Sequence, residues 1–280
     1  MHTLRNRIMF FGGTLAAGLL SLGLNRYMLE NFIDDKGLLV AGNLPGKLLW
    51  VVGVAFVVGL AYMLRTIGGD GSYEDNFPAC YLSGGLMIAA GLLMAWAVPG
   101  LALGVPTPMA QGMALGINVL TDWAAKFLPW LAAASMVVLG GLRMAGKKPW
   151  SILSGSITLF YMLMLVTNYR LWSADPQLHT YAYQLLAEVL LMLCAFHRTC
   201  CDAGIIQRRK LLLTALLAAA CCIACRSMPF QQTYYLSAAL WGLGCICQPT
   251  VLPPDPEPET EEGTETEEET EEDAPEADET

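Results

Sequence analysis

Apolar runs of membrane-crossing length recur eight times in this 280-residue chain, at about 8–24, 48–64, 80–98, 125–146, 150–172, 181–203, 211–230 and 234–252. Each approaches the ~20 residues a helix needs to traverse a hydrocarbon core of ~30 Å. Lipid offers no water to an open backbone, so each run is predicted to close its own hydrogen bonds as a helix. The expected fold is an all-α membrane protein, an antiparallel bundle of about eight transmembrane helices spanning residues 1–252. Charged residues make up 15% of the chain and apolar residues 55%, with a mean hydropathy of +0.46, which argues against a soluble domain.

The acidic balance belongs to one end. Residues 253–280 hold 15 of the 25 acids, so residues 1–252 carry a net charge near +6. That last stretch, "PPDPEPETEEGTETEEETEEDAPEADET", lacks aromatic and bulky aliphatic residues. Its acids repel one another and its prolines interrupt helices, so a disordered acidic C-terminal tail is expected. It reads as a solubilising extension, as a screen over the chain's own "QRRK" segment, or as a docking arm for a basic cytoplasmic protein. No nucleic-acid partner is expected.

Orientation follows from Lys and Arg. With the N-terminus inside, ten of the sixteen basic residues fall on the cytoplasmic side, among them Arg143, Lys148, Arg198 and the cluster Arg208 to Lys210. Eight spans return the C-terminus to that side. The opening "MHTLRNR" followed by an apolar run imitates a secretory signal. No clear small-x-small cleavage site precedes Arg26, and a retained signal-anchor is expected.

Between the third and fourth runs, Met109, Met113, Ile117 and Leu120 share one helical face, with Gln111, Asn118 and Asp122 opposite. This predicts an interfacial amphipathic helix leading into the fourth span. Pro106 and Pro108 keep a re-entrant hairpin open as the alternative.

The stretch "TYAYQLLAEVLLMLCAFHRTCC" sets the functional question. Glu188 lies seven residues inside the sixth run, roughly 10 Å deep at 1.5 Å per residue. Intramembrane acids face a partner or a wet cavity because an isolated charge in lipid is costly. Tyr181 and Gln184 share its face, and Arg226 on the antiparallel seventh run is the expected partner. The group reads equally as part of a solute or proton path and as a clamp between two helices.

Cys194, His197 and Cys201 look like soft metal ligands, but 194 and 201 stand roughly 10 Å apart along the helix, too far for one zinc. That trio is expected on the side of the helix away from Glu188. The nine cysteines read as small apolar packing residues. No metal or other cofactor is expected, and no HExxH, phosphate loop or GxSxG is present. On the outer side, "YRLWSADP" supplies belt aromatics and a turn in which Arg170 and Asp175 can pair.

Tyr169, Arg170, Ser173, Asp175, Pro176, Tyr181, Tyr183 and the basic cluster at 208–210 form a pattern over about 50 residues. In this pattern the chain resembles a family of uncharacterised multispanning integral membrane proteins of clostridial Firmicutes, and "DDKGLLVAGN" is similar to a Gly-rich outer loop of that family. The resemblance implies a bacterial plasma membrane and no assigned activity. It also implies an acid at the place of Gln184, where this chain has its acid one turn later.

Two functions stay open. One is non-enzymatic handling of a small solute through a polar strip between the sixth and seventh spans. The other is a structural or accessory membrane subunit whose acidic tail docks a cytoplasmic partner.

Overall fold

The structure, a computed structural model, describes residues 2–32, 42–65, 77–101, 115–172, 182–225 and 229–247. These residues form eight α-helices and no strand: α1 (His2–Asn31), α2 (Leu44–Arg65), α3 (Tyr81–Ala97), α4 (Leu115–Met144), α5 (Ser151–Trp172), α6 (Ala182–Asp202), α7 (Arg208–Ala224) and α8 (Pro229–Cys247). Four of them contain segments long and apolar enough to cross a membrane, at Leu44–Tyr62, Lys126–Met144, Ser151–Tyr169 and Ala182–Asp202. Helix α3 is also apolar but only 17 residues long.

Six helices close on themselves. Each of α3 to α8 packs on the next, and α8 returns to α3. Helix α1 lies outside this ring against α7, and α2 packs mainly on α1. Small residues permit the closest approaches. A Cβ at Gly84 of α3 would stand 2.5 Å from the Gly140 carbonyl oxygen of α4, and one at Gly91 would stand 2.8 Å from that of Ala133. Opposite, the Ser83 hydroxyl donates to the Gly244 carbonyl at 2.9 Å, and Ser237 to that of Ala90 at 2.7 Å, tying α3 to α8.

Side chains fill the ring's centre. Phe160 and Tyr161 of α5 meet Tyr234 of α8 with ring centroids 6.2 and 6.5 Å apart, and Tyr161 meets Trp241 at 5.7 Å. Met87, Met94, Met136 and Met164 pack among the buried residues around them. The outside is apolar: Trp50, Trp96 and Ile152 are exposed while Ser83, Ser135 and Ser237 are buried.

Two helices end alike. At Gly146 (φ 66°) and Gly204 (φ 101°) the chain enters a conformation that side-chain-bearing residues resist. This lets Lys147 N–H reach the Leu142 carbonyl and Ile205 N–H reach that of Cys200, both at 2.9 Å, capping α4 and α6. Both caps lie at one end of the bundle, where Cys80 N–H, just before α3, also donates to the Arg143 carbonyl.

Several boundaries differ from the sequence reading. The amphipathic segment from Leu115 onward is the first part of α4, one continuous helix through Pro129, and no break separates it from the fourth span. The earlier part of that segment, including Met109 and Met113, lies outside the described residues, as does the acidic tail. Arg208 to Lys210 form the first turn of α7, whereas the apolar run begins three residues later.

Candidate functional site

Helix α6 is buried along Gln184, Ala187, Glu188, Leu191, Cys194, Ala195, Arg198, Cys201 and Asp202. These positions recur at intervals of three and four residues and so form one broad stripe, which α5 and α7 flank and α8 also touches. Cys194 and Cys201 therefore share the buried side with Glu188, a correction to the sequence reading that placed them away from it. His197 is only partly buried. Among the described residues no three His, Cys, Asp or Glu side chains gather at metal-binding spacing.

Glu188 is fully buried. Its Oε1 accepts hydrogen bonds from the Asn168 side-chain amide of α5 and from the Tyr235 hydroxyl of α8, the latter at 3.2 Å. Its Oε2 has no hydrogen-bond partner among the described residues. The same holds for the Tyr161 and Tyr234 hydroxyls and for the Trp241 indole N–H, all buried in the ring's centre. Cys222 and Cys225 of α7 lie within electrostatic reach of the carboxylate. The three groups that meet at Oε1 come from the outer turns of their helices: Asn168 near the end of α5, Glu188 and Tyr235 in the second turns of α6 and α8.

Of the predicted group, Gln184 is buried one turn from Glu188. Tyr181, Asp175 and Arg226 lie outside the described residues, and for Arg170 only the backbone, within α5, is described. The hydrogen bonds at Glu188 run to the adjacent α5 and across the ring to α8, while Arg226, the partner expected from the seventh run, lies outside the described residues. Sequence reasoning missed Asn168 and Tyr235. The signal was an amide inside an otherwise apolar fifth run, together with the Tyr-Tyr pair entering the eighth.

A second polar centre occupies the opposite end. Asp202 Oδ1 lies 3.0 Å from Arg143 Nη2 of α4 and 3.0 Å from Arg198 Nη2. Arg198 Nε also donates to Asp202 Oδ2 at 3.1 Å, giving a two-pronged pair. Both guanidinium carbons stand 5.0 Å from the centre of the Phe77 ring. All four side chains are buried, and both arginines are among those the sequence reading counted on the cytoplasmic side. The legible signal was Arg198 and Asp202 at i, i+4 on one helix.

These centres differ chemically. At Asp202, charge is matched by charge within 3.0 Å. At Glu188, the described neighbours are a neutral amide, phenols and thiols. Such a site can hold a proton, or stabilise a cation against its carboxylate and aromatic faces.

Set against family models, curated proteins and solved structures, the chain has no match.

Proposed function

We propose that the chain is a multi-pass protein of the bacterial plasma membrane, with eight spanning helices and both termini cytoplasmic, that handles a small solute or protons at Glu188 without covalent chemistry. Its resemblance to the clostridial membrane family belongs to the same proposal. The observation that carries the functional reading is the half-partnered carboxylate: Oε1 takes two donors, while Oε2 has none among the described residues. A group placed only to pin helices would be expected to use both oxygens, because an unmet buried acceptor is costly. The inverted surface, with Trp50 and Trp96 outward and Ser83 and Ser237 inward, supports a lipid setting.

The test is Glu188→Gln in proteoliposomes with an internal pH dye. The substitution keeps the shape and both donors' acceptor, so folding should persist while proton movement, or solute-driven proton movement, falls at least tenfold. Unchanged flux with loss of assembly would instead favour a structural or accessory subunit, the reading to which the acidic composition of residues 253–280 lends support.

A further inference from the structure

A cavity of about 810 Å³ lies between α1, α2, α6 and α7, outside the ring and separate from the Glu188 centre. It exists because α2 leans on α1 and scarcely touches α7, leaving a gap over the outer face of α6. The space opens to the outside between α2 and α6, since Trp50, Val54, Val57, Val58 and Leu186 of its walls are exposed, so it is a surface cleft of the kind that small amphiphiles fill.

The walls are ordered by polarity. Asn43 and Lys47 of α2 and Tyr183 of α6 mark one end. From there the lining turns apolar through Val54 and Val57 of α2 and Leu186 and Leu190 of α6. Helices α1 and α7 run alongside: α1 contributes Met28 at the same end and Ala17 at the other, and α7 contributes Ala224 and then Leu217. The polar groups of the lining, Asn43, Lys47 and Tyr183, thus gather at the end away from Asp202, while α1 and α7 line the cleft with mainly small and apolar residues along its length.

The depth is informative. From Lys47 to Val58, the last α2 residue in the lining, the helix rises about 16 Å, close to the ~15 Å hydrocarbon depth of a single leaflet. Lys47 is the one charged residue among the described residues of the lining, and no acid accompanies it. One polar, positively charged end above one leaflet's depth of apolar wall is the complement of an anionic amphiphile.

We infer that this cleft is a binding site for an anionic phospholipid of the outer leaflet, its acyl chain between α2 and α6 and its phosphate beside Lys47. The inference rests on the membrane placement proposed above and is independent of any role for Glu188. A zwitterionic lipid would fill the same walls without using the charge. A helix from a second copy would leave the lysine without a counter-charge.

The experiment is native mass spectrometry of the full chain in detergent, titrated with phosphatidylglycerol and, separately, with phosphatidylcholine of the same chains. One lipid should bind saturably, with phosphatidylglycerol preferred roughly five-fold, the scale of a single lysine against an anionic surface. Gly53→Phe is the blocking variant, because a Cβ at this cleft-lining position meets nothing within 4 Å and the added ring enters open space. It should abolish the saturable site while the protein elutes and melts as before. Lys47→Gln should keep the bound lipid and lose the preference.

A graded, unsaturable lipid count, an unaltered site in Gly53→Phe, or an unaltered preference in Lys47→Gln would each overturn the inference. So would a dimer that Gly53→Phe dissociates, since a second copy would then be the occupant. Carbonate extraction separates the two proposals: release of the chain from membranes sinks the membrane placement itself, whereas a retained chain without the saturable site sinks only the cleft.

Discussion

Glu188 and Asp202 lie on the same side of α6, fourteen residues and about 21 Å apart, and they are met by opposite kinds of neighbour. Asp202 receives two arginines, one from its own helix and one from α4. Glu188 receives an amide and a phenol. One helix thus carries a charge-matched acid at one end and an acid with neutral donors near the other. The first is suited to holding helices in place, the second to changing its state.

Asp202→Asn should accordingly destabilise the protein by about 3–5 kcal/mol, since it leaves buried guanidinium groups without their carboxylate. Denaturation in mixed micelles measures this. A loss below about 1 kcal/mol would show that the Arg143 and Arg198 pairs contribute little.

Tyr235→Phe and Asn168→Leu each remove one donor from the same oxygen, and each should cost about 1 kcal/mol, the scale of interhelical hydrogen bonds in membranes. Because the donors share an acceptor, the double variant should depart from additivity by at least ~0.5 kcal/mol. Strict additivity in the same assay would mean that the two side chains do not act on one carboxylate.

Gly84→Ala and Gly53→Ala form a matched pair. The first places a methyl 2.5 Å from the Gly140 carbonyl oxygen and should lower stability by about 1–3 kcal/mol. The second meets nothing within 4 Å and should stay within about 0.5 kcal/mol of the parent. Equal effects would contradict the close seam between α3 and α4.

Topology is checked with a membrane-impermeant thiol reagent. Lys148→Cys should be labelled only after the inner face is exposed, and Asp175→Cys should be labelled in intact cells. The opposite pattern reverses the orientation. In parallel, removing residues 254–280 should abolish recovery of cytoplasmic partners if the tail is a docking arm, and the same partners recovered with the truncated chain would end that reading.

The helices were legible in the sequence because a long apolar run satisfies its backbone most simply as a helix, and each of the eight runs overlaps one. Their ends were less so. Arg208 to Lys210 look like a loop when read by charge, yet they form the first turn of α7, where Arg208 is buried. The depth of Glu188 was visible from its position in the run. Its hydrogen-bond partners were not, because sequence order offers both α5 and α7 as neighbours without choosing between them, and the closed ring adds α8. The Arg143–Asp202 contact was hidden for the same reason: it joins residues 59 apart, and a charge near a run's end reads as reaching water.

Closure of α3 through α8 into a ring has a consequence for biogenesis. Helix α1 takes its seat on α7, which begins about 180 residues after α1 ends. At translation rates of ~5–20 residues per second, the first hairpin waits roughly 10–40 s before its docking surface has been made. During that interval α1 and α2 have only each other, so the earliest part of the chain is the last to find its place.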